Sequence, residues 1–298
     1  MKKHITVLTT EAVDSLSLRP DSVVVDATYG AGGHAKEICK ILSSKGTFIG
    51  IDADPDALSD SDLHKIKSGP AIHLINDNFV NLDTILESLE INEADAILAD
   101  LGWRTDQFED GGKGFSFTSD EPLLMTYGDP ENYLFTAHDL VNEWEEENIA
   151  NVLYGYGDER FSRRIAKAIV ENRKISAIDT AKRLSEIIES AVPHFYRKGK
   201  TNPATKSFQA IRIAVNDELS YLEAFIDKAV SLVAVGGIIA IISFHSTEDR
   251  IVKLKFRELA KTENFELLTK KPIAASDEEL SANPRSRSAK LRVIKKVE

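Results

Sequence analysis

The chain has 298 residues, 42% of them hydrophobic and 29% charged, which excludes a disordered or fibrous protein and provides for a substantial core. Its single cysteine, Cys39, excludes an internal disulfide, and no Cys/His pair has zinc-ligand spacing, so a reducing cytoplasm is the expected home. The formal net charge of −11 is unevenly placed: residues 1–110 hold 20 acids against 9 basic residues, whereas residues 111–298 hold 28 of each, so a nucleic-acid partner is not excluded.

In chain order, Val23-Val24-Val25 reads as a first strand and 34–44 as a helix. Thr47 to Ile51 reads as a second strand, followed by a helix from about 55 to 66 that opens at Asp54-Pro55. Ala71 to Ile75 and Ala94 to Ala99 are the third and fourth strands. Residues 105–135, rich in Gly, Asp and Pro without a period, read as a long functional loop. Helical stretches without strands follow from about 139 to 193, including 158–173 and 180–192. Ile211, Val215, Leu219, Leu222, Ile226 and Val230 then trace one helix face. Ile238 to Ser243 is a buried strand, 247–261 a helix and 289–296 a final strand. The run Leu232 to Phe244 is interrupted by Gly236-Gly237 and is too short to span a bilayer, and the N-terminus lacks a signal-peptide apolar core, so no membrane partner is expected. The fold class expected is α/β: a parallel sheet covered by helices from 1–104 and 206–298, with a loop and helical domain inserted at 105–205.

The sharpest local signal is Asp26-Ala-Thr-Tyr-Gly30-Ala-Gly32-Gly33-His34, directly after a strand and opening a helix. Glycine there permits a tight turn and close approach of a ligand. Nineteen residues after Gly33, Asp52 ends the second strand, where an acid can take both hydroxyls of a ribose. The glycine spacing also fits a dinucleotide fingerprint, so a nicotinamide cofactor has to be weighed. Asp26 favours S-adenosylmethionine, because a carboxylate facing the turn repels a pyrophosphate and attracts an ammonium and a sulfonium. Asp100 closes the fourth strand at the same carboxyl edge, beside cofactor or reacting atom, unless it only caps a turn. Trp103, Phe115 and Phe117 are candidates to stack on a flipped base, although isolated aromatics more often pack inward. Ser243-Phe244-His245-Ser246 leaves another strand at that edge, with His245 taken alone reading as structural.

Three basic clusters could meet phosphates. The first is Arg160, Arg163, Arg164 and Lys167; the second is Arg197, Lys198, Lys200, Lys206 and Arg212. The third is Arg285, Arg287, Lys290, Arg292, Lys295 and Lys296. A solvated helix face is an equal alternative for the first cluster, less so for the others, which sit in Pro/Gly/Asn/Ser-rich segments.

Taken as an ordered set, the blocks resemble the bacterial small-subunit rRNA cytosine-N4 methyltransferase family known as RsmH or MraW. They are DATYGAGGH (26–34), GIDADPDA (50–57), NFVNL (78–82), DLG (100–102), GKGFSF (112–117), YGDERFSRRIAKAI (156–169), PATKSFQAIRIAVNDEL (203–219), ISFHSTEDRIVK (242–253) and NPRSRSAKLR (283–292). The resemblance spans about His4 to Lys296. It implies a Rossmann-like core with an inserted helical domain for substrate recognition, S-adenosylmethionine as cofactor, and methyl transfer to the exocyclic N4 of a cytidine in the decoding region of 16S rRNA. The partner implied is the small ribosomal subunit, with homodimerisation left open. Carried over residue by residue, it places Gly32, Gly33, His34, Asp52, Phe79, Asp100 and Gln107 at the cofactor, with Phe79 against the adenine. Asp100 is also the expected catalytic residue, accepting a hydrogen bond from the reacting amine. Other readings are a methyltransferase for another nucleic acid, a protein or a small molecule, and a ribosome-assembly factor that binds the cofactor without turnover. The chain departs from the family pattern at 103–106 and at 122–128, where Leu124, Thr126 and Gly128 replace an Asp, an Arg and an Asp.

Overall fold

Strands that are buried on both faces must be apolar at every position, and the short runs between acidic or glycine punctuation meet that demand. The computed structural model describes residues 5–59, 61–63, 68–101, 112–199 and 201–298. It divides into two units, one comprising Met1–Gly102 with Ser220–Glu298 and the other Trp103–Leu219.

The first unit is a seven-stranded sheet flanked by helices. Its strands are β1 (Val23–Asp26), β2 (Thr47–Asp52), β3 (Ala71–Asn76), β4 (Ala94–Asp100), β5 (Val233–Ser243), β6 (Phe265–Leu267) and β7 (Lys290–Lys296), in the order β3-β2-β1-β4-β5-β7-β6. The first five pair in parallel, while β7 runs antiparallel to both β5 and β6. Alternation along the strands fills two apolar layers: Val24, Phe48, Leu98 and Ile242 point to one, Val25, Ile49, Ile97 and Ile241 to the other. The helices preceding the insertion are α1 (Thr9–Ser15), α2 (Gly33–Ile41), α3 (Pro55–Ser59) and α4 (Leu82–Ser88). The order reverses between β1 and β4, so the crevice outside their carboxyl ends is the switch point where such sheets bind ligands.

The second unit is helical: α5 (Ala137–Glu143), α6 (Glu146–Gly157), α7 (Ser162–Arg173), α8 (Ala181–Ala191), α9 (His194–Arg197) and α10 (Thr205–Val215). Leu140, Leu153, Ile165, Leu184, Ile188 and Ile211 are fully buried at its centre. This unit runs past the boundary at 205 expected from the sequence, because Phe208, Ile211 and Val215 of α10 belong to its core. The helix face traced from Ile211 to Val230 is likewise two helices, α10 and α11 (Glu218–Leu232). Asp217 between them is left-handed at φ 48°. The Asn216 side chain ends α10 by donating to Arg212 O at 2.9 Å and to Met125 O at 2.8 Å. Two more helices, α12 (Ser246–Leu259) and α13 (Asp277–Ala282), complete the described α-helices. None of the described helices is long and apolar enough to cross a membrane.

The segment 112–128 has an isolated bridge, Pro122 with Thr180, in place of extended structure. It is held by Lys113 Nζ on Gly128 O at 2.6 Å and by Tyr127 N on Asn216 Oδ1 at 3.0 Å. Thr126 is fully buried and donates its hydroxyl to Gly128 O at 3.1 Å, so a neutral side chain stands where an arginine would have to be buried. Phe115 stacks on Tyr127 and Phe117 packs edge-on against Phe208, so these two aromatics serve packing rather than an open stacking surface.

The third basic cluster is corrected in the same way. Asp249 of α12 accepts from Arg292 Nε at 2.7 Å and from Lys290 Nζ at 3.1 Å, and Lys296 Nζ donates to Val233 O at 2.9 Å. Burial works against the Asp249 carboxylate, but these two cations outweigh it and hold its pKa below the usual range. Of the six residues, Arg285 and Arg287 are the exposed ones. In the second cluster, Arg212 is similarly committed, to Glu218 at 2.8 and 3.1 Å.

Candidate active site

The turn after β1 is shaped by what a side chain would strike. Gly32 has φ 69°, and a Cβ there would run into the Tyr29 ring; a Cβ on Gly33 would collide with the Thr6 hydroxyl. Gly33→Ala is expected to destabilise the protein by about 1–3 kcal/mol, with Gly33→Ala/Thr6→Gly recovering part of the loss in thermal unfolding. The N-terminal segment around Thr6 thus lies over the start of α2. There His34 Nε2 donates to Val7 O at 3.1 Å, and His34 Nδ1 lies 3.9 Å from Asp100 Oδ2.

The ends of β1, β2 and β4 bring three carboxylates to this turn. Asp52 Oδ2 accepts from Gly30 N at 2.7 Å and its Oδ1 from Asp54 N at 2.9 Å. A carboxylate whose oxygens accept more than one hydrogen bond each suits the two hydroxyls of a ribose. Asp100 is anchored through its own N–H, which donates to Thr28 Oγ1 at 2.6 Å. Asp77 N and Asn76 Nδ2 both donate to Asp52 O, at 3.1 and 2.9 Å, which sets the following turn, with Phe79, beside β2. Phe79 is half-buried and meets Phe225 edge-on, with centroids 5.2 Å apart.

Asp26 is fully buried. Its Oδ1 accepts from Thr28 N at 3.3 Å, and its Oδ2 has no hydrogen-bond partner among the described residues. Burial, with a smaller push from the Asp52 charge and against the Thr28 N–H, lifts its pKa from 3.8 to about 7. An orphaned buried acceptor in an acid-lined turn fits a ligand that presents a cationic donor. The same acids would repel a pyrophosphate, which disfavours the dinucleotide alternative.

Of the residues expected at the site, Gly32, Gly33, His34, Asp52, Phe79 and Asp100 all lie at the carboxyl edge of β1–β4. Gln107 lies outside the described residues, as does Trp103. Thr28 and the Thr6–Val7 segment were not expected from the sequence; both act through contacts distant in the chain. His245 caps α12: its Nδ1 accepts from Glu248 N at 3.3 Å in a capping box that opens the helix.

The sheet order with its reversed β7, and the acidic glycine turn at the β1/β4 switch point, define a Rossmann-like methyltransferase fold. The family model for MraW methylases matches residues 1–297, and the chain belongs to that family. It is 44% identical to ribosomal RNA small subunit methyltransferase H of Clostridium botulinum strain Loch Maree, over 99% of both chains. The protein of that name from Clostridioides difficile is 40% identical, again over 99% of both. Among solved structures, an rRNA methylase from Streptococcus thermophilus aligns over 99% of both chains with 13% identity and a TM-score of 0.42.

Proposed function

We propose that this protein transfers a methyl group from S-adenosylmethionine to the exocyclic N4 of a cytidine in the decoding region of 16S rRNA. The observation that carries the reading is family membership over residues 1–297, supported by an acidic cradle suited to a cationic nucleoside. Bound there, S-adenosylmethionine supplies a methyl group activated by its sulfonium charge. Gly32, Gly33 and His34 would let it approach the backbone, Asp52 would take the ribose hydroxyls, and Phe79 would lie against the adenine. Gln107 is assigned to the same pocket, and Asp26 offers its free oxygen to a cationic group.

Asp100 is the proposed catalytic residue. The amine of cytosine is a poor nucleophile because its lone pair is delocalised into the ring. A carboxylate that accepts one of its N–H bonds localises that pair, and the proton becomes acidic only after the new C–N bond forms. No strong base is needed beforehand, so positioning and charge complementarity supply the rate. The helical unit is assigned to RNA recognition.

The test is to incubate the protein with methyl-labelled S-adenosylmethionine and small subunits that lack the modification, then digest the rRNA and identify the labelled nucleoside. N4-methylated cytidine from the decoding region is expected. Label on another nucleoside, or none in a sample shown to bind the cofactor, would overturn the reading.

A further inference from the structure

The helical unit holds a second constellation, built from residues of its own. At the end of α6 the chain turns through left-handed Asp158 (φ 48°) and presents Arg160. The guanidinium carbon of Arg160 lies 4.8 Å from the ring centroid of Phe161, 5.1 Å from that of Tyr196 and 5.5 Å from that of Phe195. The carboxylate next to it, Glu159, is fully buried. Glu159 accepts from the Tyr196 hydroxyl at 2.7 Å and from Phe161 N at 2.8 Å, so it fixes the aromatic ring set rather than neutralising the arginine. Among the described residues Arg160, Arg163 and Arg164 have no ion pair.

Two cavities flank this arginine. One of about 490 Å³ is lined by Arg160, Phe195, Tyr196 and Lys206. The other, of about 410 Å³, is lined by Arg160, Tyr154, Arg163 and Arg164. Tyr154 and Phe195 are 66% and 65% exposed, unusual for large rings. Unpaired guanidinium groups interleaved with open ring faces match the chemistry of an unpaired nucleotide: bases stack on rings and guanidinium planes, while phosphates take the remaining cations. A duplex keeps its base faces covered and could use only the charges.

We propose that the two cavities at Arg160 bind a single-stranded segment of RNA, with a base stacked at Phe195 and Arg160 and phosphates at Arg163 and Arg164. The proposal rests on the reading that the substrate is RNA, and not on which atom is methylated. It is tested with the full chain by fluorescence anisotropy, using a labelled single-stranded RNA of mixed sequence and a duplex of the same composition. Tighter binding of the single strand is expected. Phe195→Ala should weaken it roughly 5- to 150-fold, and Arg160→Lys, which keeps the charge and removes the plane, should weaken it as well. Arg163→Ala/Arg164→Ala should reduce the slope of log affinity against log salt by about 1.4. Wild-type affinity in both Phe195→Ala and Arg160→Lys, or equal binding of the duplex, would overturn the proposal. The labelled-nucleoside experiment separates the two readings. Variant-sensitive RNA binding with label on another nucleoside keeps the RNA site and removes the N4-cytidine assignment. N4-methylcytidine formed by variants that bind RNA as the wild type does removes the RNA site alone.

Discussion

Asp26→Asn is expected to stabilise the ligand-free protein above neutral pH while weakening its cofactor. The carboxyl is fully buried with its pKa lifted to about 7, so the folded state holds a proton that the unfolded chain has released. Stability from this group is therefore complete below about pH 4, falls as pH rises toward 7, and is gone above it. The lift from 3.8 to about 7 corresponds to roughly 4 kcal/mol across the full window. Between about pH 5 and pH 8, denaturant unfolding should show the wild type losing roughly 3 kcal/mol relative to Asp26→Asn. The cofactor reads the same group with the opposite sign. Wild-type affinity for a cationic ligand should strengthen up to tenfold per pH unit toward about 7 and then level off, because below that the carboxyl must first give up its proton. In calorimetry Asp26→Asn should lose this dependence and bind about ten- to a hundredfold more weakly at pH 8. Parallel stability curves for the two proteins would show that Asp26 is ionised in the fold.

What the sequence made legible is local. β1, β2 and β4 were readable because apolar runs of strand length end in Asp26, Asp52 and Asp100, and the glycine turn follows the first of them directly. Phe79 and Gln107 came from the resemblance alone, since nothing in their own surroundings marks a ligand contact. Three-residue β6 has too few positions to show an alternation, and it is defined by its partner β7. The break between α10 and α11 was hidden because the apolar spacing continues in phase across it. What ends α10 is the Asn216 amide, held in part by Met125 from 91 residues earlier. Charge misled for the same reason. Lys290 and Arg292 read as phosphate ligands in a basic tail, yet they meet Asp249 more than 40 residues away. Arg160 illustrates the converse: its surroundings were visible as a cluster, but the rings of Phe195 and Tyr196 reach it only through the packing of α9 near the start of α7.

Asp100→Ala should abolish most methyl transfer, with kcat falling by about 10²–10³, and leave the fold intact, because the anchoring bond runs from its backbone N–H to Thr28 Oγ1 and survives the change. Asp100→Asn separates the parts of the role. An amide oxygen still accepts a hydrogen bond from the amine but carries no charge, so this variant should retain more activity than the alanine. A further control sharpens the assignment. Thr28→Val should lower kcat with less effect on cofactor affinity, because it orphans the Asp100 N–H and lets the carboxylate shift while Gly30 and Asp52 keep their own bond. If Asp100→Ala kept near-normal turnover with normal cofactor affinity, the acceptor would be another group in the crevice. If it lost cofactor binding and turnover in equal measure, Asp100 would be a binding residue whose contact is the same in the ground state and the transition state.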